Sequence, residues 1–173
     1  NKRTKLYRRW LGPSLQWEIM IEHLPGEGTV EMDWLAEPVD ELLASHAINT
    51  PFILLVPGCS ARNAYKRWPY YDELISKLQS MGYPCVTAPG PDEVEVCEGL
   101  PATMLVNESP KGQKPLSIPQ LAGLAKRATY AIGNDTGPTH LCAFTGTPGL
   151  AIFGPFTSPT QVGIDKVWPV IQV

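Results

Sequence analysis

From Phe52 to Val56 the chain is apolar without a break and is bounded by Pro51 and Pro57, the pattern of a strand buried on both faces of a parallel sheet. Downstream the period changes. Tyr71, Leu74, Ile75, Leu78 and Met81 recur at helical spacing, with Pro69 suited to the first helical position and Gly82 to the residue after the last, so a helix over about 69–81 is predicted. A second strand is predicted at about 84–88, Asp92, Glu93, Glu95 and Glu98 then crowd the start of a short helix, and a weaker third strand follows at about 103–106. Ser117 and Gln120 form a capping box ahead of a helix whose inner face is Ile118, Leu121, Leu124, Ala125 and Ala128.

The next stretch gathers its polarity at one point. A strand from Tyr130 to Ile132 is followed by a tight turn from Gly133 to Pro138, a short helix closed by Gly146, and a strand from Leu150 to Phe153. A polar turn spans 154–163, and a last strand is expected at 170–173. This alternation specifies an α/β fold, a Rossmann-like parallel sheet with helices on both faces, whose ligands lie beyond the carboxyl ends of the strands. The first 50 residues read differently: they lack the alternation, although Tyr7, Trp10, Leu11, Leu15, Trp17, Ile19, Met20 and Ile21 need a surface to cover. A short helix is expected within 35–46, with Val39, Leu42 and Leu43 on one face.

Each strand end brings a polar or glycine-containing loop to the same edge of the predicted sheet. After the first come Ser60, Arg62, Lys66 and Arg67; after the second, Asp92 and Glu93. After the fourth come Asp135, Thr136, Gly137 and His140, and after the fifth Gly154, Thr157 and Ser158. A cation, a carboxylate and a helix N-terminus at one crevice suit a nucleotide, with phosphates on the cation and amides and ribose hydroxyls on the carboxylate. Duller roles exist for each. Asn134 or Asp135 can cap the helix, Asp92 and Glu93 can serve as helix-start acids, and His140 can be a surface histidine. Cys59 borders the first loop with no partner that would make it a nucleophile.

Composition narrows the classes. Hydrophobic residues are 43% and charged residues 18%, as in globular proteins, and a net charge of −3 argues against a broad nucleic-acid footprint. The basic cluster Lys2, Arg3, Lys5, Arg8 and Arg9 suits an anionic membrane surface, a partner, or a solvated helix end. With no bilayer-length apolar run and no signal-peptide pattern, a cytoplasmic protein is expected, with at most a peripheral contact at the inner membrane. The four cysteines and three histidines show no metal-ligand spacing, so no metal or cofactor is expected. GxGxxG, the Walker phosphate loop and GxSxG are all absent.

Two segments stand out together: the K-x-W-P stretch Lys66 to Pro69 after an apolar strand and a small-residue loop, and D-T-G-P-x-H from Asp135 to His140, followed by a strand closing on Phe153 and Gly154. In this order they resemble the C-terminal half of the family 9 glycosyltransferases, which include the ADP-heptose:lipopolysaccharide heptosyltransferases. The resemblance covers roughly residues 50–165. It implies a GT-B glycosyltransferase, of which residues 51–173 are the nucleotide-sugar-binding domain and residues 1–50 the interdomain linker and the end of an N-terminal domain not included here.

The resemblance further implies inverting transfer of a sugar such as heptose from a nucleoside diphosphate to a saccharide acceptor such as lipopolysaccharide core, by a base in that other domain. Donor-binding roles then fall to Ser60, Lys66, Asp92, Glu93, Asp135, Thr136, Gly137 and His140, with no metal required. This chain carries Cys59, Ser60 and Ala61 where heptosyltransferases tend to have a hydroxyl pair. Two alternatives remain open on the sequence: another GT-B enzyme acting on a UDP-sugar, as transferase or epimerase, and a non-catalytic nucleotide-binding or interaction module.

Overall fold

The computed structural model describes residues 33–49, 51–110, 112–162 and 164–173. The basic cluster and the apolar positions from Tyr7 to Ile21 lie outside the described residues. Six strands form one sheet: β1 (Ile53–Val56), β2 (Cys85–Thr87), β3 (Thr103–Met104), β4 (Tyr130–Asn134), β5 (Gly149–Phe153) and β6 (Val170–Gln172). Their order is β3-β2-β1-β4-β5-β6 and every pairing is parallel. This is the doubly wound arrangement, and its order reverses between β1 and β4.

Alternation along the strands divides the core in two. Leu54, Val56, Val86, Ala131, Ala151 and Phe153 face one layer, which contains Leu124 and Ala125 of helix α4 (Ile118–Arg127) and Cys142 and Ala143 of α5 (Gly137–Phe144). Val39 and Leu43, flanking and within helix α1 (Asp40–Ser45), join the same layer. Ile53, Leu55, Cys85, Ile132 and Ile152 face the other layer, where Tyr71 and Ile75 of α2 (Tyr71–Ser80) pack. Helices therefore cover both faces, as the uninterrupted apolar strands require.

Some predicted boundaries shift and others hold. Helix α2 starts at Tyr71, so Pro69 lies ahead of it rather than in its first turn. Gly82, at φ +88, does follow the C-cap as predicted, and Gly146 at φ +79 closes α5 in the same way. The β3 ladder stops at Met104, and Asn107 instead pairs antiparallel with Lys114. The predicted polar turn after β5 contains a short helix, α6 (Pro159–Val162). Ser117 and Gln120 make both hydrogen bonds of the capping box on α4.

Close contacts tie the segment before β1 to this layer. A Cβ at Gly123 would lie 1.9 Å from the carbonyl oxygen of Glu37, so α4 meets that segment through its bare backbone. Glu37 N–H donates to Pro119 O at 3.0 Å in the same crossing.

Candidate functional site

Where the strand order reverses, the β1 and β4 ends diverge and leave a crevice. β1 ends in Pro57, Gly58 and Cys59, all buried, and the chain then rises through a 3-10 helix, Ala61–Lys66, that exposes Ser60 and presents Lys66. β4 ends in Asn134 and turns at Asp135 and Thr136 into α5. Gly133 permits the tight turn, because a Cβ there would meet Thr139 Oγ1 at 2.2 Å and Val56 Cβ at 2.9 Å. Opposite, β2 leads through Gly90 and Pro91 to Asp92 and Glu93 ahead of α3 (Val94–Glu98). These loops enclose a cavity of about 470 Å³, within the usual size of a small-molecule site.

All eight residues singled out for donor binding line this cavity: Ser60, Lys66, Asp92, Glu93, Asp135, Thr136, Gly137 and His140. Lys66 Nζ lies 2.6 Å from Asp135 Oδ2 and 3.3 Å from the Asp135 carbonyl oxygen. His140 Nε2 lies 3.3 Å from Asp135 Oδ1. Asp135 is thus flanked on both carboxylate oxygens. Burial by itself would raise its pKa, but hydrogen bonds from His140 and Lys66, with their charges, outweigh burial and hold it below the usual carboxylate value.

Helix α5 begins without a side-chain cap at Thr136. The capping alternative for Asn134 and Asp135 is therefore set aside: Asn134 belongs to β4, and the Asp135 carboxylate is engaged by Lys66 and His140. Helix geometry leaves the N–H groups of the first turn without intrahelical partners, and Thr136 and Gly137 are on the cavity wall. Positive helix potential and the Lys66 ammonium face the same space. Glu93, 8% exposed, accepts from Gly90 N–H at 2.8 Å and packs against Gly58, where a Cβ would sit 2.3 Å from the carboxylate carbon. Its carboxylate does not cap α3. Asp92 is exposed at the rim.

Other sequence candidates go elsewhere. Arg67 turns away from the cavity, donating from Nη2 to Cys59 O at 2.8 Å, while its buried Nε makes no hydrogen bond. It braces the loop instead of facing a ligand. Arg62, Gly154, Thr157 and Ser158 are not on the cavity wall. Cys59 is on the wall, with its thiol donating to Asn63 O at 3.0 Å. Asn63, not anticipated, also lines the cavity and donates to Ser60 Oγ at 3.2 Å. Its position three residues past Ser60 in the same loop was the available signal.

The sequence profile of glycosyltransferase family 9 (heptosyltransferase) matches residues 28–169. The chain belongs to this family. A relative, the lipopolysaccharide heptosyltransferase 3 of Escherichia coli strain K12, is 29% identical over 132 residues, 68% of this chain and 36% of that protein. The family 9 glycosyltransferase of Veillonella parvula DSM 2008 superposes with a TM-score of 0.71 at 22% identity, over 96% of this chain and 50% of that one. Escherichia coli heptosyltransferase WaaC with ADP gives 0.58 at 22% identity, over 90% and 48%.

This family 9 chain spans about a third of the length of the curated relatives it matches. Its Rossmann-like sheet agrees with these glycosyltransferase structures. Among the described residues no group of three or more His, Cys, Asp or Glu could hold a metal ion, and no helix is long and apolar enough to cross a membrane.

Proposed function

We propose that the chain is the donor-binding part of a glycosyltransferase that transfers a sugar, of the heptose type, from a nucleoside diphosphate to a saccharide acceptor of the lipopolysaccharide core. The observation that carries this reading is that the Lys66 ammonium and the N-terminus of α5 open on one cavity whose other wall holds Glu93. Family membership supports it, as does the likeness to a heptosyltransferase fold solved with ADP.

In this reading residues 51–173 hold the donor, and residues 1–50 connect them to a domain that supplies the acceptor site and the base. The diphosphate lies against the amides of Thr136 and Gly137. An ammonium has three N–H donors; Lys66 directs its contacts to Asp135 Oδ2 and O and keeps one donor for a phosphate oxygen. The Glu93 oxygen not engaged by Gly90 accepts from ribose hydroxyls. An acceptor hydroxyl, deprotonated by the base, attacks the anomeric carbon; the bond from that carbon to the diphosphate oxygen breaks, and the bonding pair leaves on the diphosphate. Lys66 and the helix N-terminus stabilise that developing charge, which is the role a metal would otherwise take.

Calorimetric titration with ADP, ADP-heptose and UDP tests the reading. Binding of the adenine nucleotides, weakened in Lys66→Ala, supports it. Absence of binding by all three at millimolar concentration, or an unchanged affinity in Lys66→Ala, would overturn it. Tighter binding of UDP than of ADP would instead favour a UDP-sugar enzyme.

A further inference from the structure

Resting on that reading of the cavity, we propose that Asn134 is a positioning residue, which closes the Lys66 loop at both ends and thereby sets the ammonium over the N-terminus of α5. The sequence suggests only a cap at this position, and the cap is absent. Asn134 is instead fully buried at the carboxyl end of β4. Its Nδ2 donates to Pro57 O at 2.7 Å. Its Oδ1 accepts from Trp68 N–H at 3.3 Å and from the Tyr71 hydroxyl at 3.3 Å.

Pro57 is where the chain leaves β1, and Trp68 is two residues past Lys66. One amide therefore grips the start and the end of the loop that carries the cation. The next residue along β4 is Asp135, the partner of Lys66, so the two halves of the ion pair are registered through adjacent backbone positions. Asn is suited to this post because it offers a donor and an acceptor from one short, planar group. Aspartate has no N–H for Pro57 O and would add a second buried charge beside Asp135. An apolar side chain would leave Pro57 O and Trp68 N–H without this partner, and the Tyr71 hydroxyl with Val56 O alone. Tyr71 completes the node, since its buried hydroxyl also reaches Val56 O at 3.4 Å.

The test compares the wild-type chain with Asn134→Ala, Tyr71→Phe and each of these combined with Lys66→Ala, below the melting temperature of every variant. Tyr71→Phe keeps the buried ring and serves if Asn134→Ala does not fold. ADP affinity should fall about tenfold in Asn134→Ala and about threefold in Tyr71→Phe, while adenosine affinity stays within about twofold. Because Asn134 acts through Lys66, the same substitutions should change ADP affinity by less than about twofold once Lys66 is alanine.

A nucleotide-independent readout accompanies this: the rate of Lys66 acetylation by acetic anhydride, followed by mass spectrometry, should rise in Asn134→Ala towards its value in Asp135→Ala. Equal losses of ADP affinity in both Lys66 backgrounds, or an unchanged Lys66 acetylation rate, would overturn the positioning role. Failure of the wild-type chain to bind ADP would overturn the donor-site reading, and the acetylation rates would then decide the positioning of Lys66 by themselves.

Discussion

Lys66 Nζ sits 2.6 Å from Asp135 Oδ2, although the two residues are 69 positions apart in the chain. The pair is mostly withdrawn from water, with side-chain exposures of 19% and 5%. A buried pair is costly to break from one side, because the remaining charge keeps its desolvation penalty without its partner. Lys66→Ala should therefore lose stability as well as affinity. The expected changes are a lower melting temperature and a loss of about 10- to 100-fold in ADP affinity, the range of one charge-assisted hydrogen bond. Differential scanning fluorimetry and calorimetry measure the two separately.

Acid should weaken the fold through Asp135. Its folded-state pKa is depressed, so it releases its proton more readily in the folded chain than in the unfolded one. The corresponding stability is present above the unfolded carboxylate value of about 3.9 and disappears as pH falls through the lower folded value. Denaturant midpoints measured from neutral pH into this acid range should fall less steeply for Asp135→Asn than for the wild-type chain.

Glu93 and Gly58 provide a test of the proposed nucleoside end. A methyl group on Gly58 would occupy the place of the Glu93 carboxylate, and the side chain must move away from Gly90. Gly58→Ala should weaken ADP and adenosine together by about 3- to 10-fold, the scale of one ordinary hydrogen bond. Pyrophosphate binding, which lacks the ribose, should be unaffected in the same titrations.

Gly149→Ala should be destabilising without any ligand. Its Cβ would lie 2.3 Å from the Trp168 ring and 2.5 Å from the Ala131 carbonyl oxygen. Trp168 has little freedom to yield, since it is 3% exposed and its Nε1 donates to Thr147 O at 2.8 Å. Overpacking of this kind costs about 1–3 kcal/mol, and chemical denaturation would measure it.

Thiol chemistry should report on global opening. Burial pushes Cys85 and Cys97 up to about 11 and Cys142 up to about 12. Little thiolate forms at these sites in the folded chain near neutral pH. Their modification by a disulfide reagent should proceed at the rate of unfolding, and denaturant should accelerate it.

The sequence made the fold legible wherever an apolar segment was bounded by turn residues or a helix start was marked by local chemistry. β1, β4 and β5 are short uninterrupted runs between turn residues, and Ser117 with Gln120 announces α4 through a local exchange of hydrogen bonds. Local chemistry misled at Pro69, whose fixed φ suits a first helical position but here precedes the helix. The candidate wall of the cavity was legible because strand ends share an edge once the sheet is parallel. The orientation of individual side chains was not. Arg67 and Lys66 are neighbours with the same charge, yet one braces Cys59 O and the other lines the cavity. Asn134 looked like a cap because its partners, Pro57, Trp68 and Tyr71, are remote in sequence, and no local pattern encodes them.

The placement of β1 beside β4 also bears on how the chain reaches this state. The ties across that junction span 63 to 77 residues, so each closes a long interval of chain. Closing so long an interval is slow and gains nothing until the strands pair. The cavity wall draws on the ends of both strands, so a nucleotide that recognises it needs β1 and β4 already side by side. Such a ligand would slow unfolding and leave the refolding rate nearly unchanged.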